Sequence, residues 1–245
     1  MPYEETDAVT KVPTAEELEA LFREGKMKRI GDGSRRVCYA LPGGKLCVKS
    51  YRSEDELESR MRPDGSVERH PLKRSVVGEI RKVRFDERRN TSCIEYRYWR
   101  SLRERIPSGL LEAFPETMET VCLPSRGWCL VEELIENSDG TPIVKFLPAW
   151  RNAGEGDRRR LSEALDALED FLVRHSIRFF DPQTIMVQRT PGGFRLRVPD
   201  FEPVSRTLIP VDAMFPGLVR MKIRRRFARY RKTWGMVRSG PDLPR

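Results

Sequence analysis

"KRIGDGSRRVCYALPGGKLCVKSY", residues 28–51, decides how the rest of the chain is read. Three short runs, 28–31, 36–41 and 45–51, read as strands, and Pro42-Gly43-Gly44 turns the second into the third. The turn before the second strand carries Gly31 and Gly33, and the third strand ends its apolar run Leu46-Cys47-Val48 on Lys49. A glycine-rich turn lets backbone amides approach phosphate oxygens, and a lysine on a following strand reaches the same oxygens as a point charge. A plain hairpin turn with a solvated strand-end lysine is the competing reading of these residues. A half-buried lysine needs a carboxylate, and a helix after the third strand can supply one. Glu95, beside the helically spaced Ile94, Tyr98 and Leu102, is the expected partner, with Glu79 in "VVGEIRKV" competing for the role.

Upstream, "TAEELEALF" places Thr14 and Glu17 in capping-box relation before Leu18, Leu21 and Phe22, which predicts a short helix. Downstream, residues 52–90 are charged and poor in large apolar side chains and read as a partly mobile insertion. A helix follows, with Thr91 as its expected N-cap, then strands at 117–123 and 128–135. "ENSDGTP" at 136–142 reads as a linker. Leu161, Leu165, Leu168 and Leu172 make one apolar helical stripe, and residues 184–201 read as a hairpin around a Gly-Gly turn.

At 245 residues the chain is long enough for one large domain or two lobes. No run reaches eighteen apolar residues, and "MPYEETDAVTKVPT" is polar and acidic where a secretory signal would be basic and then apolar, so a soluble, cytoplasmic protein is expected. Five cysteines without a CxxC pair, and only two histidines (His70 and His175), argue against a disulfide scaffold and a structural zinc site. The cysteines are expected in the core. The net charge of +9 is localised: residues 213–241 hold nine basic side chains and no acid, which leaves 37 basic against 37 acidic elsewhere. Within that segment Val219, Ile223, Phe227, Tyr230 and Trp234 mark one apolar face of a helix otherwise covered by arginine and lysine. Its cationic face is either solvated or a surface for a partner protein or a polyanion such as nucleic acid or anionic lipid.

The order of parts is glycine turn, strand lysine, helix glutamate, an apolar strand running into "VEELI", a helix, a catalytic-type loop and an aspartate closing a hairpin. It resembles a protein-kinase-like fold. More closely, "IGDGSRRVCYALPGGKLCVK", "EYRYWRSL", "PQTIMVQR" and "TLIP" look like the YrbL family, the PhoP regulatory network proteins. The resemblance implies an α+β, two-lobed protein-kinase-like fold: a small antiparallel N-lobe sheet with one main helix, and a mainly helical C-lobe. Its parts would be an N-terminal helical extension (1–27), an N-lobe (28–136, with 52–90 inserted), a C-lobe (137–214) and a basic C-terminal helix and tail (215–245). It also implies ATP and magnesium bound between the lobes. Lys49 would hold phosphates, Glu95 would orient Lys49, Gly31 and Gly33 would allow close approach, and Glu133 would contact the nucleotide. Arg36 stands where the third glycine of the phosphate loop belongs and offers a guanidinium instead.

Asp200 in "RVPDFEP" falls where the kinase pattern places its magnesium aspartate, Glu202 follows in place of a glycine, and Thr184 takes the place of the metal-binding asparagine, with Thr184 or Gln183 offering a neutral oxygen to a metal. The position of the acceptor-orienting aspartate falls on Phe179, which accepts no proton, and Asp181 is the displaced candidate. The expectation is a regulatory nucleotide-binding protein with weak or absent phosphotransfer, a pseudokinase or atypical kinase. The alternatives are an active small-molecule or sugar kinase that uses Asp181 and Lys49, and a non-enzymatic module that works through the C-terminal helix.

Overall fold

The structure, a computed structural model, describes residues 11–33, 35–61, 66–116, 118–200 and 215–238. The fold is α+β and divides into two units: residues 1–96 with 117–134, and residues 97–116 with 135–245.

Unit 1 starts with α1 (Ala15–Arg23), whose capping box forms as the sequence predicts. Thr14 Oγ1 accepts from Glu17 N at 3.3 Å, and Glu17 Oε2 accepts from Thr14 N at 2.7 Å. Strands β1 (Lys28–Asp32), β2 (Arg36–Ala40) and β3 (Leu46–Tyr51) follow, then β4 (Ser59–Met61), β5 (Val67–Arg69) and α2 (Arg74–Val83). Helix α3 (Thr91–Arg105) begins in this unit and runs into the next, and β6 (Met118–Leu123) and β7 (Gly127–Glu133) complete an antiparallel sheet in the order β1-β2-β3-β7-β6.

Register explains why β3 is buried along its whole length and still carries a charge. Val37, Tyr39, Leu46, Val48, Leu123 and Val131 share a cluster with Leu18 of α1. The alternate residues of the same strands face the other way. Cys38 pairs with Lys49 and Cys47 with Glu132, so Arg36, Lys49 and Glu132 lie on the face opposite that apolar cluster.

Residues 52–90, read from the sequence as an insertion, carry β4, β5 and α2, and Leu57, Ile80 and Val83 bury against Tyr51 of β3. The helix before β6 is capped one residue earlier than expected. Asn90 Oδ1 accepts from Ser92 N at 2.8 Å, while the hydroxyl of Thr91 meets that of Tyr51 at 2.9 Å. Asn90 Nδ2 also donates to the carbonyls of Arg84 and Trp128. Gly127 completes this joint: its φ is +76°, and a Cβ there would lie 2.1 Å from the Arg84 carbonyl oxygen. Only glycine satisfies both conditions.

Unit 2 holds the end of α3, strand β8 (Val144–Lys145), helices α4 (Phe146–Asn152) and α5 (Glu155–Arg174), strands β9 (Met186–Thr190) and β10 (Gly193–Arg197), and α6 (Pro216–Trp234). The leucine stripe of α5 is buried at all four positions. Residues 137–142, in the segment read as a linker, form a tight turn: Asn137 Nδ2 donates to Thr141 Oγ1 and the Pro142 carbonyl, and Asn137 Oδ1 accepts from Arg189 N at 2.7 Å. Helix α6 buries Val219, Ile223, Phe227 and Tyr230 as its spacing predicts, whereas Trp234 is half-buried beneath the guanidinium of Arg151. Arg231 departs from the expected cationic surface. It is buried and bridges Asp166 and Glu169 of α5 at 2.6 Å each, which fixes α6 on α5 by charge as well as by apolar contact.

All five cysteines are free; Cys47, Cys93 and Cys129 are buried, while Cys38 is half-buried and Cys122 exposed, so the core expectation holds for three. Among the described residues no helix is long and apolar enough to cross a membrane.

Candidate functional site

The polar face of the unit 1 sheet meets the first turns of α3, and the two surfaces enclose four charges. Lys49 Nζ lies 2.7 Å from Glu132 Oε1 and 3.9 Å from Glu95 Oε1, and Arg36 donates to Glu95 Oε2 at 2.7 Å. The two acids are essentially inaccessible, at 0% and 1% side-chain exposure, and both cations stand at 11%. Two cations and two carboxylates balance, which makes such burial tolerable. The structure brings Lys49 and Glu95, the pair expected from the sequence, within 3.9 Å, and adds Arg36, whose bond to Glu95 was not expected. Glu79 instead pairs with Arg35 at 3.0 Å.

Glu132 is the member the sequence reading missed. Glu132 and Glu133 are adjacent, so they point to opposite faces of β7, and the β3–β7 register puts Glu132 on the face of Lys49. Glu133, the predicted nucleotide contact, pairs in register with Leu46 on the other face. Burial pushes the Glu132 carboxyl up to about 7, the charge of Lys49 pulls it back, and the charge of Glu95 raises it further. Its Oε2 is buried with no hydrogen-bond partner. Lys49 therefore sits against a carboxyl whose hold on its proton is strengthened by burial.

The glycine turn closes beside this cluster. Gly33 N donates to the Arg36 carbonyl at 2.8 Å, and a Cβ on Gly33 would stand 3.2 Å from that oxygen, so the turn is close enough to resist a side chain there. Gly31 has ordinary room, its added Cβ lying 3.6 Å from that of Cys38. Asp32, between them, is held by Arg29 through two bonds of 2.7 Å and by Arg52 at 3.3 Å. Arg52 also donates to the Gly33 carbonyl at 3.0 Å and to the Ser59 carbonyl at 2.6 Å. Charged side chains thus hold Asp32 and Gly33 from outside the turn.

The remaining predicted residues lie in unit 2. Phe179 is buried and meets Phe227 of α6 edge-on, with ring centroids 6.4 Å apart, so its position is a core position. Asp181 caps the one-turn helix Pro182–Thr184 by accepting from Gln183 N at 3.1 Å. Thr184 Oγ1 donates to the carbonyls of Asp181, at 2.9 Å, and Asp200, at 3.2 Å, which brings the loop and the end of the β9–β10 hairpin together. Asp200 is exposed. His175 ends α5 and leans on Phe171, and burial lowers its pKa. Glu202 falls outside the described residues.

No family model and no curated protein matches the chain, so the likeness to the YrbL family rests on the sequence patches above. Among solved structures the chain is similar to a Rio2 kinase from Chaetomium thermophilum in complex with ADP/Mg2+-phosphoaspartate, at 19% identity and a TM-score of 0.47. That match covers 92% of this chain and 62% of the other.

Proposed function

We propose that this chain is a kinase-like protein of YrbL type that binds a purine nucleotide with magnesium and transfers its phosphoryl group weakly or not at all. The observation that carries the reading is the buried cluster of Lys49, Glu95, Glu132 and Arg36 beside the turn at Gly31 and Gly33. A lysine on the third strand, held by a glutamate of the next long helix, is how protein kinases present a cation to nucleotide phosphates. The residues fit such a ligand: two cations stand next to a turn in which Gly33 leaves little room for a side chain. Lys49 would hold phosphate oxygens, with Glu95 and Arg36 fixing its position.

Magnesium, a hard cation, favours oxygen donors. Asp200 and Thr184, linked through the Asp200 carbonyl, supply that chemistry and would hold it. When bound, such an ion supplies charge neutralisation to phosphate oxygens. Weak or absent transfer is expected because the resemblance assigns the position of the acceptor-orienting carboxylate to Phe179, a buried side chain that accepts no proton. The second reading, an active small-molecule kinase, draws on Asp181, two residues further on and fixed at the loop's surface by its capping bond.

Titration calorimetry with ATP and magnesium tests the nucleotide claim. Saturable binding to the intact chain, lost in Lys49→Met, is expected. Equal binding by both proteins removes it.

A further inference from the structure

We propose that the cavity between the Asp181 loop and helix α6 is a phosphate subsite for a small ligand carrying two or more phosphate groups. The cavity, about 610 Å³, lies wholly in unit 2 and is lined by Phe180 and Asp181 on one side and by Lys222, Arg225, Arg226 and Arg229 on the other. That volume is within the range of small-molecule sites.

The four cations occupy positions i, i+3, i+4 and i+7, which puts them on one face of α6 over roughly 10 Å. Like charges at this spacing oppose one another along a helix, and no acid within α6 relieves them. Lys222 lies 5.8 Å from the centre of the Phe180 ring. Among the described residues the side chains of Arg225, Arg226 and Arg229 meet no carboxylate and no hydrogen-bond acceptor. Elsewhere in the unit arginines do find acids: Arg231 and Arg238, on or just after the same helix, take Asp166, Glu169 and Asp170. The three arginines facing the cavity are therefore distinguished by the lack of an acidic partner among the described residues, not by the basicity of the helix as a whole.

The stripe is also held in place. The opposite face of α6 is buried, with Phe227 against Phe179 and Tyr230 against Phe146, and Arg231 is locked to α5. Guanidinium groups so presented match phosphate oxygens by paired donors. The lone carboxylate of the cavity, Asp181, has its orientation set by Gln183 N and remains an acceptor for a ligand hydroxyl. A phosphorylated ligand with a free hydroxyl complements both walls. The binding claim stands on unit 2 alone; only a role for that hydroxyl as phosphoryl acceptor rests on the second reading above.

The phosphate groups have two possible sources, a soluble metabolite-sized molecule or a lipid headgroup, because Phe215, Leu218 and Met221 near the start of α6 are exposed apolar residues. The test is titration calorimetry of the full chain with inorganic tripolyphosphate, run on wild type, on Lys49→Met and on the triple variant Arg225→Gln/Arg226→Gln/Arg229→Gln. Flotation with vesicles containing phosphatidic acid is run in parallel. All three arginines are exposed, so the triple variant is expected to keep its fold, checked by its melting temperature. Binding that persists in Lys49→Met and weakens at least tenfold in the triple variant supports a soluble ligand. Vesicle binding lost in the triple variant, without tripolyphosphate binding, supports the headgroup source. Tripolyphosphate binding abolished by Lys49→Met but untouched in the triple variant overturns the proposal, as does tighter binding of a twelve-nucleotide single-stranded RNA than of either probe. Loss of ATP binding alone leaves it standing and removes only the nucleotide reading.

Discussion

Replacing Glu132 by Gln keeps the shape of the buried cluster and removes one charge, so it isolates what burial does to this carboxylate. Its pKa rises from the ordinary 4.5 to about 7 in the folded chain, with desolvation the largest cause. Between those values the folded state holds a proton that the unfolded state has released. Folding stability from this group is therefore full below pH 4.5 and is lost as pH rises through 7. The displacement corresponds to about 3 kcal/mol at 1.36 kcal/mol per pKa unit. Glutamine does not titrate, and the variant lacks this component. Urea unfolding of unit 1, followed at pH 5, 6, 7 and 8, should show the variant gaining on wild type by about 2.5 kcal/mol across the series, the part of the full displacement that falls inside this window. The offset at any single pH also contains the lost attraction to Lys49; the slope does not. A difference between the two proteins that is flat with pH, or that falls as pH rises, would refute the assignment of a strained, proton-holding carboxylate to this position.

Three further outcomes follow from the packing. Gly127→Ala should destabilise the chain by more than about 2 kcal/mol, measured by thermal melting, because strain at positive φ adds to a clash with the Arg84 carbonyl. Arg231→Met should cost about 3–5 kcal/mol, since it strands Asp166 and Glu169 as buried acids. A double variant that also removes both acids should recover much of that loss in the same melt. Asn90→Ala should cost about 1–2 kcal/mol and speed amide exchange in the first turn of α3, where the cap at Ser92 N is lost.

Much of this architecture is legible in the chain because its signals are local. The Thr14/Glu17 box, the strand runs between glycine and proline turns, the α5 leucine stripe and the apolar face of α6 each depend on spacing within one element, and each forms. Lys49 was legible as an anomaly: an ammonium closing a buried strand requires a nearby acid. Which acid is another matter. Glu95 could be found from helix spacing, but choosing between Glu132 and Glu133 needs the β3–β7 register, a pairing between residues some eighty positions apart. Once Lys49 is set opposite Leu130, strand alternation selects Glu132 without further information. Arg231 was hidden for the same reason, since its partners lie on α5 and composition alone assigns it to a cationic surface.

Isothermal titration of ATP with magnesium into wild type and Lys49→Met, with Arg36→Met alongside, tests the central claim most directly. The account predicts saturable heat for wild type, at least tenfold weaker binding when the lysine ammonium is removed, and a smaller loss when Arg36 is changed. No heat with wild type at millimolar nucleotide, or undiminished binding without Lys49, contradicts it.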